Sequence, residues 1–399
     1  MYRINLENIL KYGILALCVS SITYYTNLPI SSTYVWWSVR ALLFAIMFLL
    51  WDKTFCPKLM LLWMTLVLIS SVRGSFFCRD YWDWKQLINN VICYSVCVSA
   101  FFVNTVDVFQ NILYYLFKHI WKLFIVLVLF LWSDGIAKFM LPFSFMALFY
   151  PLLNSKYKKY VWLAFVITLV FGYDSRSDIL KFIFCIILGV LFIRNNLQRY
   201  VEKFYWLFFV IPFALFTLAV IGNFNVFEYL SNLNEGDARS QNVVLTDTRT
   251  MVYEEVVSSA IDRNSLFWGV TPARGYYSEW MIRNQDMSGI MGDEHYGERG
   301  TTESSVLNVF LHFGIFGLII YLLIFFTASY WAIYKSNNSY IPIIGFYVAF
   351  RFMFGWIEDS TKFDINMFML WSMIGMCYSP AYRDMTNEEF GEWLDGILA

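Results

Sequence analysis

Residues 160–193 read YVWLAFVITLVFGYDSRSDILKFIFCIILGVLFI. Two apolar runs, "YVWLAFVITLVF" and "ILKFIFCIILGVLFI", contain one charge between them, Lys181, and are parted by "GYDSRSD" at 172–178, which holds Asp174, Arg176 and Asp178. A helix needs about 20 predominantly apolar residues to cross a hydrocarbon core about 30 Å thick. Two runs approaching that length, joined by a short charged turn, predict a membrane hairpin rather than the one-sided apolar stripe of a soluble helix. The turn raises the functional question: what an arginine between carboxylates does where the chain leaves the membrane.

Outward from this hairpin the pattern repeats. The chain is 59% hydrophobic and 15% charged, where a soluble domain carries about 25% charge, so it reads as an all-α integral membrane protein. Twelve spans are expected, at roughly 12–30, 33–51, 58–72, 87–106, 119–133, 136–153, 158–173, 178–194, 203–222, 306–334, 339–357 and 364–382. The first has no small-residue cleavage site and is followed at once by another, so it is expected to be a membrane helix and not a removable signal. The seven cysteines lie mostly within spans, which implies no disulfide framework. Cys93 and Cys97, four apart, read as packing residues. The net charge of −1 names no partner class; only the placement of charges is informative.

Short basic connections, "DKTFCPK", "NSKYKK" and "RNNLQRYVEK", alternate with connections poor in lysine. The positive-inside rule makes the basic ones cytoplasmic, together with both termini, and places "GYDSRSD" and the one long polar segment, 223–302, outside. The chain thus divides into a nine-span part, 1–222, an outer loop, 223–302, a three-span part, 303–382, and an acidic amphipathic tail, 383–399, that lies on the surface or docks a partner.

The outer loop contains six arginines, Arg239, Arg249, Arg263, Arg274, Arg283 and Arg299, and no lysine. Topology alone disfavours lysine outside, but a planar guanidinium fork also suits phosphate or carboxylate. Arg40, Lys138, Lys181 and Arg351 sit in the outer halves of spans. Each costs about 2.5–3.5 kcal/mol on insertion scales unless it snorkels, so together they suggest a positively lined cavity opening outward. Within the loop, Met251, Val252, Val256, Val257 and Ile261 recur at helical spacing behind Thr246 or Asp247, predicting an amphipathic helix with Arg249 in its first turn. A cation there opposes the helix dipole unless an anion is near. Gly269 and Gly275 bracket a turn carrying Pro272 and Arg274. Asp293, Glu294, His295 and Glu298 could ligate a metal, but no second histidine or cysteine pair accompanies them, and a solvated acidic loop is the simpler meaning. His312 lies in an apolar run and reads as a helix-contact residue. No Walker-type loop, dinucleotide fingerprint or nucleophile elbow occurs, which argues against a soluble nucleotide-using enzyme.

The order of a span boundary marked by "SRS", a long loop with "DTRTMVYEEV" and "FWGVTPARG", and "TESSVLNVFLHFGIFGLI" entering the next span resembles the O-antigen polymerase and O-antigen ligase group of bacterial membrane glycosyltransferases. The resemblance implies a GT-C-like fold and a sugar chain on undecaprenyl pyrophosphate, used outside the inner membrane without nucleotide, metal or other cofactor. It implies a protein regulating chain length as a partner, and no nucleic acid. Arg176 stands where the family has its span-end arginine, and Arg249 where the loop carries its second. In ligases the helix after the loop opens with a histidine, followed by a leucine four and a glycine eleven residues on. Counting back from Gly314 puts Glu303 in the histidine place and Leu307 in the leucine place, which favours a polymerase.

The chemistry is compatible. Transfer from a pyrophosphate requires cations for the departing diphosphate and a base for the acceptor hydroxyl. Arg176 and Arg249 are the expected catalytic cations, with Arg274, Lys181 and Arg351 binding pyrophosphate or glycan and Asp174 and Asp178 holding Arg176. Glu303 is the expected base, with Asp174 or Asp178 as alternatives; its other reading is a carboxylate complementing a helix terminus behind Thr301 or Thr302. Competing functions are a ligase moving finished glycan to a lipid or protein, and a flippase of lipid-linked sugars. The absence of a visible internal repeat argues against the flippase.

Overall fold

The computed structural model describes residues 6–30, 33–173, 176–195, 198–220, 248–287 and 295–398. Helix makes up 76%, and the strands among the described residues are Tyr276–Tyr277 and Glu298–Arg299, paired antiparallel. Five helices are long and apolar enough to cross a membrane, at Thr33–Leu50, Lys58–Ser75, Val106–Phe130, Tyr200–Leu218 and Ser305–Tyr334. Thr33–Leu50 buries only Leu43, Ile46 and Met47 and leaves Leu42, Phe48 and Leu49 exposed. Such a surface is unfavourable in water and fitting in lipid. The chain is an all-α membrane protein.

Both runs of the opening stretch form helices, Ser155–Phe171 and Arg176–Asn195, and the two pack against each other. The Asn154 side chain caps the first helix by accepting from the Tyr157 N–H at 3.1 Å. Asp174 lies outside the described residues.

Four expected spans are modified; span 119–133 is the later part of a helix that already begins at Val106 and runs to Leu127, and the other three are interrupted or shifted. The first span is the helix Leu6–Ser20 and not 12–30, because the Ser21 and Thr23 hydroxyls donate to the Cys18 and Ser20 carbonyls and turn the backbone. Span 87–106 starts earlier, at Tyr81, and is interrupted by the 3-10 turn Ser95–Cys97; Cys93 and Cys97 are buried as expected. Span 136–153 is broken into Ser133–Met140, Phe143–Leu148 and the 3-10 turn Tyr150–Leu152. Pro142 has no N–H to continue a helix, and Phe139, Met140, Phe143, Phe145, Met146 and Phe149 are all buried. Irregular backbone at membrane depth is tolerated where protein surrounds it.

The C-terminal part is built on the helix Ser305–Tyr334, which packs against Lys58–Ser75, Ile341–Phe354 and Ile365–Tyr378. The tail helix Asn387–Leu398 lays Phe390, Trp393, Leu394 and Ile397 against Val106–Leu127. It is therefore docked on the body of its own chain.

Connections assigned to one side of the membrane gather in space. Asp52, Asn104 and Ser379 are linked by hydrogen bonds of 3.0 and 2.6 Å, and Asn337 donates to the Arg383 carbonyl. The other set meets at the cavity described next.

Candidate functional site

The segment leading to the site is locked onto the long helix. Helix Thr248–Asp262 buries Val252, Val256 and Ala260 against Leu307, Phe310 and Leu311. Ile261, expected on that face, is 54% exposed, since the buried stripe runs through Ser259 and Ala260 instead. Arg249 belongs to the first turn of this helix, but its side chain lies outside the described residues.

Residues 265–272 then insert at a break in the long helix. Gly314 has φ 67° and ψ −162°, which frees the N–H groups of Ile315 and Phe316 to donate to the Leu266 and Phe267 carbonyls at 2.8 and 3.3 Å. Val270 N–H donates to the Leu311 carbonyl at 2.7 Å in return. The backbones approach so closely that a Cβ on Gly314 would lie 2.3 Å from the Phe267 carbonyl carbon, and one on Gly269 would lie 2.3 Å from that of His312. Arg73 donates to the Trp268 and Gly269 carbonyls at 2.7 and 2.6 Å, Asn90 to the Pro272 carbonyl at 2.9 Å. His312 is buried against the Tyr94 hydroxyl at 2.7 Å, the helix contact expected of it.

Glu298 closes the segment. Its carboxylate accepts two bonds from Arg274, at 2.9 and 2.6 Å, and one from the Gly275 N–H at 2.7 Å, with Arg263 and Arg79 each at 3.6 Å. Burial works to raise its pKa, and the Arg274 fork with the Gly275 N–H outweighs it, holding the carboxyl below the ordinary range.

Beside this clamp opens a cavity of about 810 Å³. Gln86, Asn89 and Asn90 line it from Tyr81–Tyr94, Lys138 from the broken segment, Arg176 and Ser177 from the start of Arg176–Asn195, Arg299 to Glu303 from the end of the clamped segment, and Ile357 to Asp359 with Lys362 from the following connection. The last piece is held by the start of the long helix. Ser305 and Val306 N–H groups, which lack partners within the helix, donate to the Glu358 and Gly355 carbonyls at 3.1 Å. Ser304 is the N-cap, so Glu303 precedes the cap instead of sitting in the first turn, and its carboxylate closes on Arg299.

Four cations therefore face the cavity: Lys138, Arg176, Arg299 and Lys362. Lys138 donates to the Tyr25 hydroxyl and lies over that ring. Arg176 is exposed and has no hydrogen-bond or ion-pair partner among the described residues. Burial works to lower the Lys362 pKa, but Asp359 and Asp364 outweigh it and keep the ammonium above its ordinary value. Glu358 is likewise held low: burial opposes ionisation, and Lys181 and Arg351 overcome it.

Of the residues singled out in the sequence, the fold brings Arg176, Glu303 and Lys138 into one cavity. Five others, Arg274, Lys181, Asp178, Arg351 and Arg40, take different places from those expected. Arg274 lies outside the lining, its fork filled by Glu298. Lys181 is buried beneath the cavity, 2.6 Å from Asp178 and 2.7 Å from Glu358, so Asp178 holds Lys181 and not Arg176. Arg351 is buried at 3.3 Å from the Tyr347 hydroxyl, and Arg40 donates to Ser20. Desolvation explains Lys181, Arg351 and Arg40: a cation at span depth without water takes the nearest oxygen of its own chain.

Sequence reading missed Glu358, Asp359 and Lys362. Their signal was present in "WIEDSTKFD", a dense charged turn between two apolar runs like the one at 172–178. The Glu298 carboxylate is taken up by Arg274 and the Gly275 N–H, and Asp293 and Glu294 lie outside the described residues. His295 instead meets Asp80 at 2.9 Å and Asp83 at 3.6 Å. These three could surround a cation, yet Arg79 already places its guanidinium 3.1 Å from Asp83 and 3.2 Å from His295. Compared with models of protein families, with curated proteins and with solved structures, the chain matches none.

Proposed function

We propose that the chain is a metal-independent membrane glycosyltransferase that polymerises lipid-linked oligosaccharide repeat units. It transfers a glycan from undecaprenyl pyrophosphate to a sugar hydroxyl of an acceptor unit at the outer face of the bacterial inner membrane. In this reading the chain has twelve spans in a GT-C-like arrangement with both termini cytoplasmic. The observation that carries the reading is the cavity in which Arg176, unpaired among the described residues, and Glu303 meet Lys138, Arg299 and Lys362. A pyrophosphate leaving group needs preorganised positive charge that its own protein has not neutralised, and among the described residues no carboxylate pairs with Arg176 or Lys138. Gln86, Asn89 and Asn90 add amides suited to sugar hydroxyls. Support for the sidedness comes from the lining itself: its separate segments are those assigned to one side by the alternation of basic connections.

Arg176→Ala is the test. In cells carrying the variant as their only copy, at matched membrane level, polymer is lost and single lipid-linked repeat units accumulate. Normal polymer in Arg176→Ala removes the reading; full-length polymer left untransferred to its final acceptor moves the function to the ligase. Sidedness is checked with Cys56 and Cys78 replaced: a cysteine at Arg283 reacts with an impermeant thiol reagent from outside and one at Lys158 does not.

A further inference from the structure

The cavity holds three carboxylates, Glu303, Glu358 and Asp359, in different surroundings. Glu358 has both oxygens on the Lys181 ammonium, at 2.7 and 2.9 Å. Glu303 is 63% exposed and closes on Arg299 four residues before it. Asp359 is held from one side only. Its Oδ1 accepts from the Thr361 N–H at 2.9 Å, from the Thr361 hydroxyl, and from Asn308 Nδ2 at 3.2 Å. Among the described residues its Oδ2 meets the Lys362 ammonium, at 3.8 Å. Asn308 is itself fully buried and fixed by Thr302, whose N–H donates to Asn308 Oδ1 at 2.7 Å and whose carbonyl accepts from Nδ2 at 3.1 Å.

The geometry points to Asp359 as the general base, with Thr361 and Asn308 as positioning residues. This rests on the polymerase reading above. Three donors on one oxygen lock the side chain, while the second oxygen keeps lone pairs available inside the cavity, as a positioned proton acceptor requires. In the step, the acceptor hydroxyl proton passes to Asp359 Oδ2 and the hydroxyl oxygen forms its bond to the anomeric carbon of the donor. The bond from that carbon to the diphosphate oxygen breaks, and its electron pair leaves with the diphosphate, whose added charge Arg176 and Lys138 meet. Glu303 then orients Arg299 at the cavity and accepts no proton.

The experiment compares Asp359→Asn, Glu303→Gln and Arg176→Ala in the full chain. One readout is chain elongation in cells. The other is protection of the detergent-solubilised protein from thermal unfolding by inorganic pyrophosphate. Asp359→Asn is expected to slow elongation by about 10²–10⁴-fold and to keep the protection, while Glu303→Gln stays within about tenfold of native elongation, because it removes an ion pair and no base. Thr361→Val, which takes one donor from the Asp359 carboxylate, is expected to slow elongation with pyrophosphate protection unchanged, and Thr361→Ser, which keeps that donor, to restore it. Native-like elongation in Asp359→Asn overturns the assignment, and so does loss of pyrophosphate protection in that variant, which would make Asp359 an organiser of the anion site. If Asp359→Asn does not accumulate in the membrane, Asp359→Glu decides: retained protection with elongation reduced at least about tenfold supports the base, and native elongation overturns it. Normal elongation in Arg176→Ala, or no protection of the native chain, defeats the polymerase reading itself, whatever Asp359 does.

Discussion

Around Glu298, the guanidinium groups of Arg79, Arg263 and Arg274 close to 3.6, 3.6 and 2.6 Å on one carboxylate whose side chain is 8% exposed. Around the neighbouring cavity, Lys138, Arg176, Arg299 and Lys362 surround about 810 Å³ of open space. Residue types and sequence neighbourhoods overlap: Glu298 of the clamp and Arg299 of the cavity are adjacent. What separates the two regions is whether the chain provides the anion at the centre. Where it does, the arginines dock a segment; around the cavity Arg299 and Lys362 also meet carboxylates, Glu303 and Asp359, but open volume remains between the groups.

The comparison breaks first at Arg176. Arg176→Ala is expected to abolish product, and Arg176→Lys to fail as well if a bidentate grip on phosphate is needed, since lysine keeps the charge without the fork; product analysis in cells reads both. Second is Glu298→Ala, which leaves three arginines facing each other in a poorly solvated site. A loss of about 3 kcal/mol is expected, at the low end for breaking a buried pair because the arginines keep some access to water. It is measured as a fall in thermal stability with faster proteolysis of 263–299.

Next comes acid. The Glu298 pKa lies below its ordinary 4.5 when folded, so the clamp contributes stability above the unfolded pKa and loses it as pH falls through the folded one. Proteolytic protection of the segment should therefore hold at neutral pH and weaken only below the ordinary carboxylate range. Weakening near neutrality would show that a group other than Glu298 governs the docking. The smallest effect is expected for Arg263→Gln. At 3.6 Å and one-third exposed, this pair is worth about 0.2–1 kcal/mol, and a shift in midpoint beyond that would move Arg263 into the core of the clamp.

The helices were legible because their cause is local. The run at 33–51 has enough consecutive apolar side chains to cross a membrane and is a continuous helix, Thr33–Leu50, and the shorter runs at 58–72 and 158–173 also form continuous helices, Lys58–Ser75 and Ser155–Phe171. Breaks were less legible. Pro142 was visible in the sequence, but a proline within an apolar run is also compatible with a kinked span; packing by Phe139, Phe143 and Phe149 decided that the segment is buried and broken. Gly314 had been read as the end of a motif, whereas its role is to let the Phe267 carbonyl approach.

The sequence by itself determined that this chain lives in a membrane as helices, since hydrocarbon offers no partner for a backbone amide and the apolar runs leave no other solution. It also marked the charged turn "GYDSRSD" between two apolar runs, although its reading passed over the similar turn "EDSTK". Only the tertiary structure decided what each charge is for. Arg176 and Arg274 are the same residue in similar polar surroundings of sequence, yet one faces open volume and the other is gripped by Glu298, 24 positions along the chain. Electrostatic role depends on which oxygen lies within about 4 Å, and those distances arise from contacts between residues far apart in sequence, which no local pattern encodes.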